Sequence, residues 1–222
     1  TVGDAINRLK EIERTTKSNE WIMGRQFDPS LQDGPELLTR NLLDTVSTKK
    51  PVFVYNASMH FAYCNSKALE IAGVTKDTPD DLHSPYGRDE HGQPNGVLTG
   101  GKAIGSVAKH ATMSKNIDLV SSSLKVIKRA NRLGITMFCD QATGMTRGTK
   151  EIDVYHAIAK SGQLTARLRY SLSYGIQEKW DATGIACGDG DELVRCTTWK
   201  IVSDGSNQGF SGLQRKPYLY RD

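Results

Sequence analysis

The sequence predicts an α/β fold built on a parallel sheet, and three observations predict it. Short apolar runs of strand length alternate with amphipathic stretches of helical period, the pattern of βαβ units. The joints between them are short, and glycine or proline marks several helix ends. Pro51-Val-Phe-Val-Tyr55 is a compact apolar run, typical of a strand covered on both faces. The 222 residues, 37% hydrophobic and 24% charged, suffice for one domain over 1–222 with a sizeable core.

Each element has its own reason. Val2, Ile6, Leu9 and Ile12 recur at helical spacing and predict a helix over about 3–17. Glu20 to Gly24 reads as a short strand. Pro35 suits the first turn of a second helix carrying Leu37, Leu38, Leu42 and Leu43. A strand at 51–55 follows. Asn65 to Gly73 is a short helix that an Asn or Cys side chain could cap and that Gly73 ends. Prolines and glycines break the segment at about 76–100, which reads as an insertion whose hairpin turns at Glu90–Gln93. Asn116 to Leu133 is a strong helix, with Ser114 as its cap and Gly134 past its end. Ile135 to Cys139 is a strand, and Cys139 suits a small buried hydrophobe. A helix at Glu151–Lys160, a strand at Leu164–Leu172, a short helix at Gln177–Ala182 and a strand at Leu193–Val202 complete the plan.

Composition excludes several functions. The net charge is +4, and the densest basic stretch, Lys125 to Arg132, has the spacing of a solvated helix face. No nucleic-acid partner is expected. No apolar run reaches the roughly 18 residues of a membrane span, so no membrane partner is expected either. Cys64, Cys139, Cys187 and Cys196 form no CxxC pair and no zinc-finger spacing. They read as free thiols in a reducing, cytoplasmic compartment.

Sites in parallel α/β folds gather at the C-terminal strand ends. Past the predicted strands lie His60, then Asp140, then the hydroxyls of Ser173 and Tyr174, then Lys200 with Asp204-Gly-Ser206. This set suits metal-assisted hydrolysis better than redox or phosphoryl chemistry. Lys200 is the informative member. An inward lysine near a buried strand end is costly unless its charge is consumed. Carboxylation by carbon dioxide consumes it, giving a carbamate able to bridge two metal ions. The bland alternatives are a hydrogen-bonded structural role for His60 and turn or capping roles for Asp140 and Asp204. Gly205-Ser-Asn-Gln-Gly209 lacks the Gly-Lys-Ser/Thr order of a phosphate loop. There is no Gly-x-Ser-x-Gly elbow.

Six segments in order carry a resemblance: Trp21-Ile-Met-Gly24 with Phe27-Asp28, Pro51 to Tyr55, His60 with Asn65-Ser-Lys-Ala-Leu69, Gly87 to Leu98, Gly134-Ile-Thr, and Lys200-Ile-Val-Ser-Asp-Gly-Ser206. Over nearly the whole chain they resemble the middle of a metal-dependent amidohydrolase, in the branch of N-substituted formamide deformylase and the exoenzyme regulatory proteins. That resemblance implies a partial (β/α)₈ barrel, about the first half with strands 2–4, and metals, usually zinc, at its C-terminal face. It implies a small-molecule amide-type substrate attacked by metal-activated water. It assigns Lys200 to the carboxylated, metal-bridging lysine and therefore to a catalytic position. His60 matches a pocket histidine and Asp140 an acidic position, both for substrate contact or support, and Asp204 joins them.

The sequence also departs from the family. No His-x-His pair occurs, no later strands supply further histidines or the family's aspartate, and Gly100-Gly101 stands where an acidic residue is frequent. A full barrel needs about 250 residues. The expectation is half a barrel, inactive alone, with open sheet edges that favour self-association. The alternative is a regulatory or ligand-binding module that kept the scaffold without the metal centre. A Schiff-base role for Lys200 in a phosphate-binding barrel is a third reading.

Overall fold

The structure, a computed structural model, describes residues 1–18, 20–31, 37–111, 118–207 and 212–218. It is a mixed α/β fold with two compact units, one formed by Thr1–Asn116 with Asp204–Asp222 and the other by Ile117–Ser203.

In the first unit, helix α1 (Val2–Thr15) opens on a capping box. The Thr1 hydroxyl accepts from the Asp4 amide, and the Asp4 carboxylate answers the Thr1 amine. Val2, Ile6 and Leu9 are buried, as their spacing predicts. Lys50 closes the other end. Its ammonium donates to the carbonyls of Glu13 and Thr16 at 2.8 and 2.7 Å and pairs with the Glu13 carboxylate at 2.9 Å. Strand β1 (Ile22–Phe27) runs parallel to β2 (Val52–Asn56), with Ile22 opposite Val52. Helix α2 (Arg40–Asp44) lies between them in sequence and is capped by Thr39. It starts later than the leucine pattern predicts. Leu37 and Leu38 precede it, and Pro35 lies outside the described residues.

The sheet then turns antiparallel, which the alternation of strands and helices does not predict. Strand β3 (Phe61–Cys64) returns beside β2 after only Ala57–His60, a link far too short for a parallel crossover. Helix α3 (Ser66–Ala72) follows, then β4 (Tyr86–Arg88), β5 (Pro94–Thr99) and α4 (Gly100–Ala108). The predicted hairpin is present as β4 and β5, and β5 also pairs with β3, giving the order β1-β2-β3-β5-β4. Asn65 ties this unit together. Its side-chain oxygen accepts from the amides of Val52 and Ala68, and its nitrogen donates to the carbonyls of Ser47 and Lys50. One fully buried residue thus caps α3 and fixes the approach to β2.

The second unit is the parallel sheet that the sequence predicts. Helix α5 (Leu119–Asn131) is capped by Asp118, whose carboxylate accepts from the Ser121 amide. The cap expected at Ser114 lies outside the described residues. Strand β6 (Met137–Thr143), helix α6 (Glu151–Lys160), strand β7 (Arg167–Ser173), helix α7 (Gln177–Asp181) and strand β8 (Val194–Lys200) follow. The order is β6-β7-β8, all parallel. Ile127 of α5, Ile152 and Ile158 of α6 and Trp180 of α7 pack with Tyr170, Leu172, Val194 and Cys196 in one core. The helices therefore cover a single face of the sheet. Cys139 is exposed, against the expectation of a buried hydrophobe. It alternates with Phe138 and Asp140 along β6 and so points away from the helices.

Candidate active site

Register decides which side chains meet at the C-terminal end of the second unit's sheet. Asp140 lies beside Tyr170, and Tyr170 beside Cys196, on the face that the helices cover. A bulge between Tyr170 and Ser171 then places Ser171 beside Thr198 and Ser173 beside Lys200. Ser171 and Ser173 alternate with Tyr170 and Leu172, which face the helices. Lys200 is therefore on the opposite, helix-free face with Ser171, Ser173 and Thr198. Gln141 joins them there, since its side-chain oxygen lies 3.4 Å from the Ser171 hydroxyl.

Lys200 is half-buried at the last residue of β8. Among the described residues its ammonium has no carboxylate partner. Ser171 and Ser173 beside it are buried. The end of the sheet thus places this lysine on one face with two buried serines, Ser173 at its own register position.

Asp140 occupies a different environment. Its carboxylate accepts from the Tyr155 hydroxyl of α6 and, at 2.9 Å, from the Ala142 amide. Burial and the Asp140 hydrogen bond push the Tyr155 phenol far above its ordinary range. Tyr155 also meets the Thr143 hydroxyl at 3.3 Å. The sheet does not bring Asp140 and Lys200 together, because the two stand on opposite faces. Next to this cluster the Glu151 carboxylate gathers the loop after β6. It accepts from the amides of Gly144, Thr146 and Arg147 at 2.5, 3.0 and 2.6 Å, and from the Thr146 hydroxyl. Burial works to raise the Glu151 pKa, but these hydrogen bonds outweigh it and hold the carboxyl below the ordinary glutamate range.

His60 and Asp204 belong to the first unit. His60 is exposed at the turn from β2 to β3, where its carbonyl accepts from the Gly100 amide at 2.8 Å. Met59 beside it holds a φ of +62°. Asp204 is exposed, and its carboxylate accepts from the Leu213 amide at 2.8 Å.

Sequence reasoning missed Glu151, Tyr155, Gln141 and Ser171. For the first two a signal exists. Glu151 and Tyr155 are four apart in a helix and so share a face, directly after a strand end. Gln141 and Ser171 carry no such mark.

A catalytic zinc takes three protein ligands and leaves one position open. Among the described residues no three His, Cys, Asp or Glu side chains are grouped to hold an ion. The described residues do not by themselves fit a metal centre.

The chain is similar to several known proteins. The protein YtcJ of Bacillus subtilis, which carries an amidohydrolase name, is 24% identical over 220 residues, covering 96% of this chain and 40% of its own. The exoenzymes regulatory protein AepA of Pectobacterium carotovorum is 28% identical over 237 residues, covering 98% of this chain and 48% of its own. The N-substituted formamide deformylase of Arthrobacter pascens is 30% identical over 98 residues, or 44% of this chain and 18% of its own. A crystal structure of a metal-dependent hydrolase from Pyrococcus horikoshii superposes with a TM-score of 0.55 at 21% identity, over 93% of this chain and 38% of that one. This chain thus spans less than half the length of these proteins. The model of the amidohydrolase family matches residues 1–222, and the chain belongs to that family.

Proposed function

We propose that the chain is the lysine-bearing part of a metal-dependent hydrolase that cleaves carbon–nitrogen bonds other than peptide bonds. In this reading β6, β7 and β8 are consecutive strands of a (β/α)₈ barrel, within one barrel domain over 1–222, and the helix-free face is the barrel interior. The observation that carries it is the placement of Lys200. It ends a parallel strand, faces away from the helices, stands beside Ser173 and has no carboxylate partner among the described residues. Such an amine is open to carbon dioxide. The neutral nitrogen adds to the carbon, an N–C bond forms and a proton leaves to solvent, giving the carbamate.

In this reading Lys200 is the described residue that would help hold a divalent metal, zinc by the family resemblance, and the metal would supply an activated water. Asp140, on the helix-covered face with Tyr155, would support the strand end from behind. By the sequence resemblance alone, His60 and Asp204 are candidates for substrate contact or support. The substrate class follows the deformylase relative, an N-substituted formamide or similar small amide.

The test is metal content and formamide hydrolysis by the full-length protein, with and without Lys200→Ala. Both should fall to background in the variant. Unchanged metal stoichiometry would remove the carbamate from the account.

The absence of a ligand cluster among the described residues favours one other reading, a regulatory module on the same scaffold. In that case the wild-type protein would hold no metal and hydrolyse nothing.

A further inference from the structure

We propose that Cys187 and Cys196 form a thiol-modification site, at which a small-molecule disulfide reacts with exposed Cys187 and Cys196 then resolves the adduct into an intramolecular disulfide. Three observations converge on this pair.

The first is geometry. Ala186 to Asp189 is a tight turn, closed by the Asp189 amide on the Ala186 carbonyl at 3.1 Å and by the Ala186 amide on the Asp189 carboxylate at 2.8 Å. Gly188 sits at its third position with a φ of +103°, a conformation that type II-like turns reserve for glycine. The turn is fastened to Cys196 from both sides. The Gly188 amide donates to the Cys196 carbonyl at 2.9 Å, and the Cys196 amide donates to the Asp189 carbonyl at 2.8 Å. Cys187 directly precedes Gly188 and Asp189, the two residues whose backbones are bonded to Cys196. This pairing brings the backbone of Cys187 near that of Cys196, the first requirement for a disulfide.

The second is asymmetry of access. Cys187 is exposed, whereas Cys196 is fully buried. An external disulfide can reach only the first.

The third is asymmetry of reactivity. Burial, followed by the neighbouring charges of Cys187 and Asp189, pushes the Cys196 thiol up to about 12. Cys196 is a poor nucleophile towards anything that must diffuse to it. It can act only on a sulfur already held in contact.

The chemistry is two exchanges. The Cys187 thiolate attacks one sulfur of a glutathione-type disulfide, that S–S bond breaks, and one small thiol leaves. The Cys196 sulfur then attacks the Cys187 sulfur, and its proton goes to the departing small thiolate. The mixed disulfide breaks and the second small thiol leaves. Two protein thiols are oxidised and one small disulfide is reduced. The new bond would close the Cys187–Cys196 loop at the entry to β8, the strand that ends at Lys200.

The test is incubation of the protein with oxidised glutathione, then acid quenching, alkylation and peptide mapping by mass spectrometry over time. The expected result is an early glutathione adduct on Cys187 that gives way to a peptide linking Cys187 and Cys196. Cys187→Ser should leave Cys196 reduced. Cys196→Ser should trap the adduct on Cys187, and Cys139→Ser should change neither product. A stable adduct on wild-type Cys187, a link through Cys139 or Cys64, or no modification at all would overturn the proposal.

Discussion

At the scale of single residues, the second unit depends on the Glu151 carboxylate. Glu151 collects three amides and a hydroxyl from the loop after β6. Its pKa is lowered in the folded state, so the stability it contributes is fully present above the ordinary value of 4.5. That stability is lost as pH falls below 4.5 into the folded-state range. Glu151→Gln should lower stability by about 1 kcal/mol at neutral pH, a modest figure because the side chain is partly solvent-screened. The variant should also lose the wild type's decline below pH 4.5. Urea titrations at both pH values check this, and parallel pH profiles for the two proteins would contradict it. Some residue roles were legible beforehand. Asn65 was a candidate cap from its place before Ser-Lys-Ala-Leu, although its long-range bonds to Val52, Ser47 and Lys50 were not. The position of Lys200 at a strand end was legible as well. The face taken by Asp140 was not, because side-chain direction depends on strand parity, and the register irregularity between Asp140 and Thr143 has no sequence signature.

At the scale of elements, the βαβ units of the second half were readable because helix and strand periods differ and the joints are short. Strand β3 was missed for a physical reason. It has four residues and follows a turn that needs Met59 at positive φ, a residue type that gives no warning of such a turn. Among the described residues, strand β6 is an edge of its three-stranded sheet and pairs only with β7. Its helix-free face carries Met137 and Cys139, both exposed, and the strand contains neither proline nor lysine. Edges of this kind invite pairing with another copy. The 222-residue chain should therefore self-associate as its concentration rises, and Met137→Lys should weaken that association. Light scattering across a concentration series is the check, and a monodisperse monomer throughout would contradict it.

At the scale of the molecule, family membership and the α/β class were both legible, because six short segments keep their order along the chain. The split into two compact units was not, since no composition shift or linker marks residue 117. Family membership gives the proposed chemistry its setting, while the chain spans 40% of the length of its Bacillus relative and 48% of its Pectobacterium relative. The most direct measurement is the ¹³C NMR spectrum of the full-length protein equilibrated with ¹³C-bicarbonate, compared with Lys200→Ala. A protein-bound carbamate signal that disappears in the variant is the predicted result. A wild-type spectrum without that signal, or a signal that survives the substitution, would contradict it.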